Sequence, residues 1–164
     1  MKSLYILLFS TLTSFGQDTI PCKCCTPEHQ QFDFWIGDWN VYDTAATLIG
    51  INTILKLQEG CTLQENWAAQ MTGTSYNYYN KTDSTWNQVW VDNQGGSLVL
   101  KGNYINGSMV LKGELQPEKN VDFYYNQITW TPNPDGSVTQ KWDVFDKNGT
   151  LLTNAFLGNY VLKP

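Results

Sequence analysis

Aromatic rings and amides alternate along the middle of the chain. Between 86 and 90, Trp86, Gln88 and Trp90 fall on one face of a predicted strand, because strand side chains alternate with a period of two. Other stretches repeat the pattern: Leu63, Glu65 and Trp67; Ser75, Asn77 and Tyr79; and Val138, Gln140 and Trp142. Indole rings stack on ligands while amides and a carboxylate orient them, so this face has the chemistry of a small-molecule site.

Glu65 is the one acidic residue of this set. No lysine or arginine is predicted on the same face, so its carboxylate depends on amides, indoles or water for hydrogen bonds, and burial should raise its pKa. Such an acid could serve as a general acid or base, or could anchor a ligand hydroxyl or amine. The other interpretation, a structural hydrogen-bonding role, is the one that the residues favour over catalysis.

Two interpretations of this face are open: the lining of a cavity, or a core filled by bulky rings. The amides favour a cavity, because buried amides need partners that water or a ligand can supply. The predicted ligand-binding residues are Glu65, Trp67, Ser75, Asn77, Tyr79, Trp86, Gln88, Trp90, Trp130, Gln140 and Trp142, with Glu65 as the only catalytic candidate.

Short β-rich runs separated by turn residues must position these side chains. Strands are predicted near residues 38–43, 47–58, 62–71, 73–81, 85–92, 96–105, 108–115, 120–131, 136–146 and 152–163. Asn106-Gly107 predicts a type I′ hairpin turn. About ten consecutive strands with short connections favour an all-β fold, a single antiparallel up-and-down β-barrel, since closing a sheet removes its edges. A sandwich is the alternative.

Charged residues indicate which face of each strand points outward. In the strand at 136–146, Thr139, Lys141 and Asp143 share a face and should meet water, because burying an unpaired charge costs several kcal/mol. The inward set is then Val138, Gln140, Trp142 and Val144, and in the last strand it is Phe156, Gly158, Tyr160 and Leu162. The tryptophan-amide face therefore lines the interior.

The charge of the chain limits the classes of partner that the protein is expected to bind. The formal net charge is −5 and all ten basic residues are lysines. Nothing is basic enough to predict nucleic-acid binding, and no lysine cluster marks a membrane surface. Without arginine the bidentate clamp for carboxylates and phosphates is missing, which disfavours an anionic ligand. A small neutral or cationic ligand is predicted, without cofactor, metal or membrane insertion; the oligomeric state is not predicted.

The chain begins like an exported protein. Met1-Lys2-Ser3 precedes an apolar run up to Phe15, and Ser14-Phe15-Gly16 has the small-x-small pattern of a cleavage site. These features predict a signal peptide at 1–17, one domain at 18–164, and a secreted or periplasmic location.

Four cysteines at 22, 24, 25 and 61 fit disulfides in such a compartment. A bridge from Cys24 or Cys25 to Cys61 is predicted, because adjacent Cys24 and Cys25 would be strained as a pair. A zinc site made of these thiols and His29 is the less favoured alternative, since the spacing is poor for a metal. His29 itself is interpreted as a capping or surface residue.

Several ordered motifs resemble a family of small exported bacterial proteins catalogued as a domain of unknown function. Such proteins open with a Cys-Cys-x-Pro-Glu-His segment and a Phe-Asp-Phe-Trp-Ile-Gly-x-Trp segment, which match Cys24 to His29 and Phe32 to Trp39. The resemblance continues at 61–67, 73–75, 86–92 and 129–132. It implies a lipocalin-like (calycin) barrel and no established activity.

Gly37-Asp38-Trp39 also resembles the Gly-x-Trp signature of lipocalins, in which a short helical turn leads into the first strand. The arginine that packs on that tryptophan in lipocalins is missing here. The distantly similar nitrobindins bind haem iron through a histidine. Because His29 is the single histidine and lies in the N-terminal segment, the resemblance to nitrobindins does not imply haem binding by this protein.

The sequence thus favours an exported β-barrel that binds a small molecule in a polar-aromatic pocket. A cofactor-free isomerase, cyclase or lyase that uses Glu65 as acid or base is the alternative, and a binding protein is favoured over an enzyme. A structural or surface-interaction protein with a filled barrel is a further possibility.

Overall fold

A computed structural model describes residues 22–164. The predicted signal peptide at 1–17 lies outside the described residues. Eleven strands dominate this part of the chain, in the order β1 Gly37–Tyr42, β2 Leu48–Leu57, β3 Thr62–Ala68, β4 Thr72–Asn80, β5 Thr85–Asp92, β6 Ser97–Ile105, β7 Ser108–Lys112, β8 Gln116–Glu118, β9 Asp122–Pro132, β10 Val138–Asp146 and β11 Leu151–Leu162. Helical structure is limited there to α1 (Pro27–Gln30) and two single turns of 3₁₀ helix, Asp33–Trp35 and Gln58–Gly60.

The strands form a closed antiparallel barrel. The ring runs β1 to β7 in chain order, continues through β9, β10 and β11, and closes where β11 pairs with β1. The three-residue β8 pairs with the first residues of β9 and stays outside the ring. The predicted single up-and-down barrel of about ten strands is confirmed, and the sandwich alternative is wrong.

Turn residues with positive φ set several of the hairpin registers. The β6–β7 turn is the clearest, because Asn106 has φ 51° and Gly107 has φ 85°. Two consecutive positive φ angles define the type I′ turn, whose twist matches that of the flanking strands. The turn predicted from Asn106-Gly107 is confirmed, and it places Tyr104 opposite Met109.

The antiparallel ring gives the barrel two different ends. We call one of them the closed end; it carries the turns near residues 58–61, 81–84, 106–107 and 133–137. We call the other the open end; it carries the turns near residues 43–47, 69–71, 93–96 and 147–150. Residues 22–36, which we call the N-terminal plug, cover the closed end. Phe32 of the plug makes edge contacts with Trp86 and Trp130 at centroid distances of 5.6 and 5.2 Å.

Local sequence explains why the plug is helical. Pro27 occupies the first turn of α1, where its missing N–H needs no partner, and Glu28 lies beside it at the positive end of the turn. Asp33 then pairs with Lys56 of β2, whose Nζ lies 2.6 Å from its carboxylate. The aromatic face of the segment is left to point into the barrel.

Two disulfides fasten the plug. Cys24 bonds to Cys61, at the start of β3, and Cys22 bonds to Cys25 within the plug. The prediction that Cys24 or Cys25 bridges to Cys61 is confirmed for Cys24. All four cysteines are therefore oxidised, which leaves no thiolate for the alternative zinc site.

The strand faces follow the predicted alternation, but two residues differ from the prediction in their exposure. Asp143 points outward as predicted, but it is buried rather than exposed, because Lys141 Nζ lies 2.8 Å from its carboxylate and Asn154 donates a hydrogen bond to it. Leu162 was predicted to face inward and is 50% exposed. It is the last residue of β11, at the rim of the closed end.

Candidate functional site

The interior of the barrel is packed at one end and hollow at the other. In the half next to the plug, Phe32, Trp35, Trp39 and Trp86 are almost completely buried against one another. Toward the open end lies a cavity of about 210 Å³. Its lining consists of Glu65, Trp67, Met71, Gln88, Trp90, Leu98, Ile128, Trp130, Gln140, Trp142, Ala155, Phe156 and Tyr160.

Seven of the eleven predicted ligand-binding residues line this cavity: Glu65, Trp67, Gln88, Trp90, Trp130, Gln140 and Trp142. Ser75 and Asn77 are fully buried and reach the cavity only through the residues that they contact. Tyr79 and Trp86 lie in the packed half, where Tyr79 meets His29 and Trp86 donates a hydrogen bond to Gln31. All four of these side chains point inward as predicted, but Tyr79 and Trp86 belong to the core beneath the plug.

A chain of hydrogen bonds leads across neighbouring strands to Glu65. Gln88 donates to the Asn77 carbonyl oxygen at 2.9 Å, and Asn77 donates to Ser75 Oγ at 2.9 Å. Ser75 Oγ donates to Glu65 Oε2 at 2.6 Å, while Asn52 Nδ2 donates to Glu65 Oε1 at 2.8 Å. Each of these side chains is buried. Both carboxylate oxygens therefore accept hydrogen bonds from neutral groups.

The electrostatics of Glu65 are set by two opposing effects. Burial raises the pKa of the Glu65 carboxyl above its ordinary value, and the hydrogen bonds from Ser75 and Asn52 lower it by a smaller amount. None of the ion pairs within residues 22–164 includes Glu65. A buried acid without a counterion is the unusual feature of this cavity.

Removal of this acid should change how stability depends on pH. The unfolded carboxyl titrates near 4.5 and the folded one higher, so between the two values the folded state retains a proton that the unfolded state has lost. Wild-type stability should then fall as pH rises across this window, relative to Glu65→Gln, with a slope of at most about 1.4 kcal/mol per pH unit.

Urea unfolding of both proteins from about pH 4 to about pH 8 measures the difference. Glu114→Gln, which removes a carboxylate from the surface, is the matched control and should follow the wild-type profile. Parallel profiles for wild type and Glu65→Gln would contradict the assignment of a raised pKa to Glu65.

Tyr160 joins the same network from β11. Its hydroxyl donates to Gln140 Oε1 and lies 3.5 Å from Asn52 Nδ2. Burial, and next the nearby Glu65, raise the pKa of the Tyr160 hydroxyl well above its ordinary value. Tyr160 is therefore a neutral hydrogen-bonding group in the cavity wall.

Two buried polar atoms near the cavity have no hydrogen-bond partner among the described residues. They are Asn52 Oδ1 and the indole Nε1 of Trp130, and Trp130 lines the cavity. A buried polar group without a partner costs roughly 1–3 kcal/mol, so water or a ligand is the expected partner. Trp130, whose indole N–H has no partner among the described residues, and Glu65 both belong to the cavity lining.

Three aromatic side chains of the cavity lie close against glycines of the barrel wall. A Cβ on Gly50 would come within 2.5 Å of the Trp67 ring, one on Gly158 within 2.7 Å of the Phe156 ring, and one on Gly73 would overlap the ring of Trp90. Glycine in a strand marks such a close approach. The rings rest against the wall, and the space between them stays open.

Several residues of the site are absent from the predicted set. No inner face is predicted for the strand at 47–58, so Asn52 is missing, and the lining residues Met71, Ile128 and Ala155 are missing as well. Met71 and Ala155 are exposed at the mouth, in the β3–β4 turn and at the irregularity of the β10–β11 pairing. Neither position has a periodic pattern that could reveal it. Phe156 and Tyr160 were predicted to point inward, and they do.

His29 is not part of the cavity. It is 3% exposed within α1, its Nδ1 lies 2.8 Å from Thr26 Oγ1, and its ring meets the edge of Tyr79. The interpretation of His29 as a surface residue is wrong, because the plug folds it inward against β4. Desolvation by burial lowers the pKa of the His29 imidazole.

The described residues show no other obvious chemical centre. Between 22 and 164 no three histidine, cysteine, aspartate or glutamate side chains cluster as a metal site would require. In the same part of the chain no helix has the length and apolar character needed to span a bilayer.

No protein-family model matches the chain, and a search of curated proteins also finds no match.

Proposed function

We propose that the protein binds a small organic molecule, neutral or cationic and partly apolar, in the open-end half of its barrel. The observation that carries this proposal is the cavity of about 210 Å³, where indole rings and a few polar groups converge. Ligand pockets typically combine apolar walls with a small number of placed polar groups. The volume lies below the roughly 300–1,000 Å³ of drug-sized pockets, so the ligand is small.

The chemistry of the wall argues against an anion. No lysine is among the residues that line the cavity, and the chain has no arginine. The one charged group there is the Glu65 carboxyl, which would repel a negative ligand. Trp67, Trp90 and Trp142 supply rings for stacking, while Gln88 and Gln140 supply amides that orient the ligand.

We further propose that the protein is exported and belongs to the lipocalin-like family that its opening motifs resemble. Its two disulfides support an oxidising compartment. The ten-stranded barrel with a helical turn before β1 supports the family assignment. The net charge of −5 supports the absence of nucleic-acid partners.

A cofactor-free enzyme is the second candidate, and the observation that favours it is Glu65. A carboxyl with a raised pKa on the wall of a cavity suits general acid–base catalysis. Its test is to compare turnover and binding in Glu65→Gln once a ligand is known. Loss of turnover with retained binding would favour the enzyme, and a wild type that turns over no bound compound would rule it out.

The binding proposal is tested with N-phenyl-1-naphthylamine, a neutral aromatic amine whose fluorescence rises in apolar sites. The wild-type protein should bind this probe, and the bound probe should quench the tryptophan fluorescence of the protein. Gly73→Ala should weaken binding by on the order of tenfold or more, because the new Cβ must push the Trp90 ring off the wall and into the cavity. The same overlap should lower stability by roughly 1–3 kcal/mol.

Gly113→Ala is the matched control, because its Cβ would meet neighbours no closer than 3.5 Å. It should bind the probe like wild type. Native mass spectrometry of protein purified from an exporting host provides a readout that does not depend on the variants, and a co-purified small molecule is expected. If wild type binds no probe and carries no molecule, the binding function is wrong and a structural role takes its place.

A further inference from the structure

We infer that the ligand is an organic cation whose ammonium group pairs with Glu65 between the tryptophan rings. This inference rests on the proposed binding function and makes its ligand class specific. It is carried by the direction of the hydrogen bonds around Glu65, the lack of a counterion for it among residues 22–164, and the aromatic walls.

The hydrogen bonds around Glu65 are arranged for a carboxylate rather than a neutral acid. Ser75 Oγ is 2.9 Å from Asn77 Nδ2, which can only donate, so the serine proton is free to point at Glu65 Oε2. The other oxygen faces Asn52 Nδ2, which also can only donate. A protonated Glu65 would have to give its hydrogen to Asn52 Nδ2, which cannot accept it, or to Ser75 Oγ, which already accepts from Asn77 Nδ2 and, at 3.4 Å, from Gln88 Nε2. The network thus prepares a negative charge at this position.

No positively charged group within residues 22–164 pairs with Glu65. Lys56, on the inner face of neighbouring β2, is held by both oxygens of Asp33 at 2.6 Å. Among the described residues, the titratable group that interacts with Glu65 from another element is Tyr160 of β11. Tyr160 carries no positive charge. A cationic ligand would supply the missing counterion, since a buried charge is stable only when it is paired.

The walls of the cavity favour a cation as well. Trp67, Trp90, Trp130, Trp142 and Phe156 surround the space beside Glu65. The faces of aromatic rings are negative and attract ammonium groups, most strongly when water is excluded. Trp67, Trp90 and Phe156 lie against glycines of the barrel wall. A neutral ligand would use the same rings but would leave the carboxylate unpaired.

Binding of a cation should release a proton. Without a ligand, burial raises the pKa of Glu65, so Glu65 keeps its proton to a higher pH than an exposed glutamate does. A cation binds the ionised form, and the displaced proton goes to solvent. Affinity should then rise by about tenfold per pH unit while free Glu65 is protonated, and become constant above its pKa.

The experiment compares two probes of the same shape, benzyltrimethylammonium and its carbon isostere neopentylbenzene, by displacement of N-phenyl-1-naphthylamine. The quaternary cation does not titrate, so any pH dependence belongs to the protein. Wild type should prefer the cation by on the order of tenfold to a hundredfold at pH values where Glu65 is ionised. Calorimetry in buffers of different ionisation enthalpy should detect proton release on binding of the cation, and none on binding of the isostere.

Glu65→Gln should abolish the preference and the pH dependence while retaining neopentylbenzene, because it has the same shape without the charge. Glu114→Gln controls for the change in net charge and should behave like wild type. If Glu65→Gln does not fold, the pH dependence and proton release of wild type alone decide the inference.

Equal affinity of wild type for the two probes, or a pH-independent preference, would overturn the cation inference and leave the binding function intact. Failure of wild type to bind either isostere while it binds N-phenyl-1-naphthylamine would overturn the cation inference as well. Failure to bind all three compounds, together with the absence of a co-purified molecule, would overturn the binding function itself.

Discussion

Trp35→Ala should destabilise the protein by about 3–5 kcal/mol, the range for deleting a large buried aromatic side chain. Trp35 is completely buried, although it lies in a segment that precedes the first strand. Its ring stacks on Phe32 at 4.9 Å and meets Trp130 at 5.3 Å and Tyr160 at 6.4 Å. The substitution would leave a void between the plug and the floor of the cavity, and a strand-based barrel cannot collapse to fill it.

Urea unfolding monitored by circular dichroism measures this loss. Tyr78→Ala is the control: it removes a large ring from the outer face of β4, where Tyr78 is 40% exposed, and should change stability by no more than about 1 kcal/mol. The backbone carbonyl of Trp35 accepts a hydrogen bond from the Trp39 indole N–H at 2.9 Å, and the variant keeps this carbonyl. A loss similar to that of the control would mean that the plug does not contribute to the stability of the barrel.

The barrel could be predicted because its elements follow local rules. Period-two alternation and turn residues place all ten ring strands, with ends that differ from the observed ones by a few residues. β8 escaped prediction because Gln116-Pro117-Glu118 is only three residues long and has no alternation. It exists because the start of β9 extends beyond β7 and offers free backbone groups.

The candidate site could be predicted only in part, because the alternation shows whether a side chain points into the barrel but not how far along the barrel axis it lies. Tyr79 and Trp86 point inward like Gln88, but they lie nearer the closed end, where the plug fills the barrel. The depth of a residue depends on the strand register around the ring and on what covers each end. Neither can be read from one strand.

The contacts that shape the cavity also depend on register. The ring of Trp67 lies over Gly50, seventeen residues earlier, because β2 and β3 pair with Asn52 opposite Trp67. The same pairing places Asn52 beside Glu65. The alternation of residues predicts an inward Glu65 with no lysine or arginine on the same face. The donors that hold it became visible only when neighbouring strands were aligned.

The bond between Cys24 and Cys61 is expected to be the strongest single restraint on the plug. It closes a loop with a sequence separation of 37 residues, and Cys22–Cys25 closes one of 3. In the chain-entropy model the longer loop contributes about 4 kcal/mol and the shorter about 1.5 kcal/mol, because the larger loop removes more conformations from the unfolded chain. The double variant Cys24→Ala, Cys61→Ala should therefore lose much more stability than Cys22→Ala, Cys25→Ala.

Thermal unfolding of the two double variants under oxidising conditions makes the comparison, because each variant lacks one bridge and keeps the other. The larger loss should come with faster hydrogen exchange in 22–36, since the plug would then be held mainly by Phe32 and Trp35 and by the Asp33–Lys56 ion pair. Equal losses would mean that the aromatic contacts alone hold the plug. In that case the disulfide would be a consequence of the docked plug and not its cause.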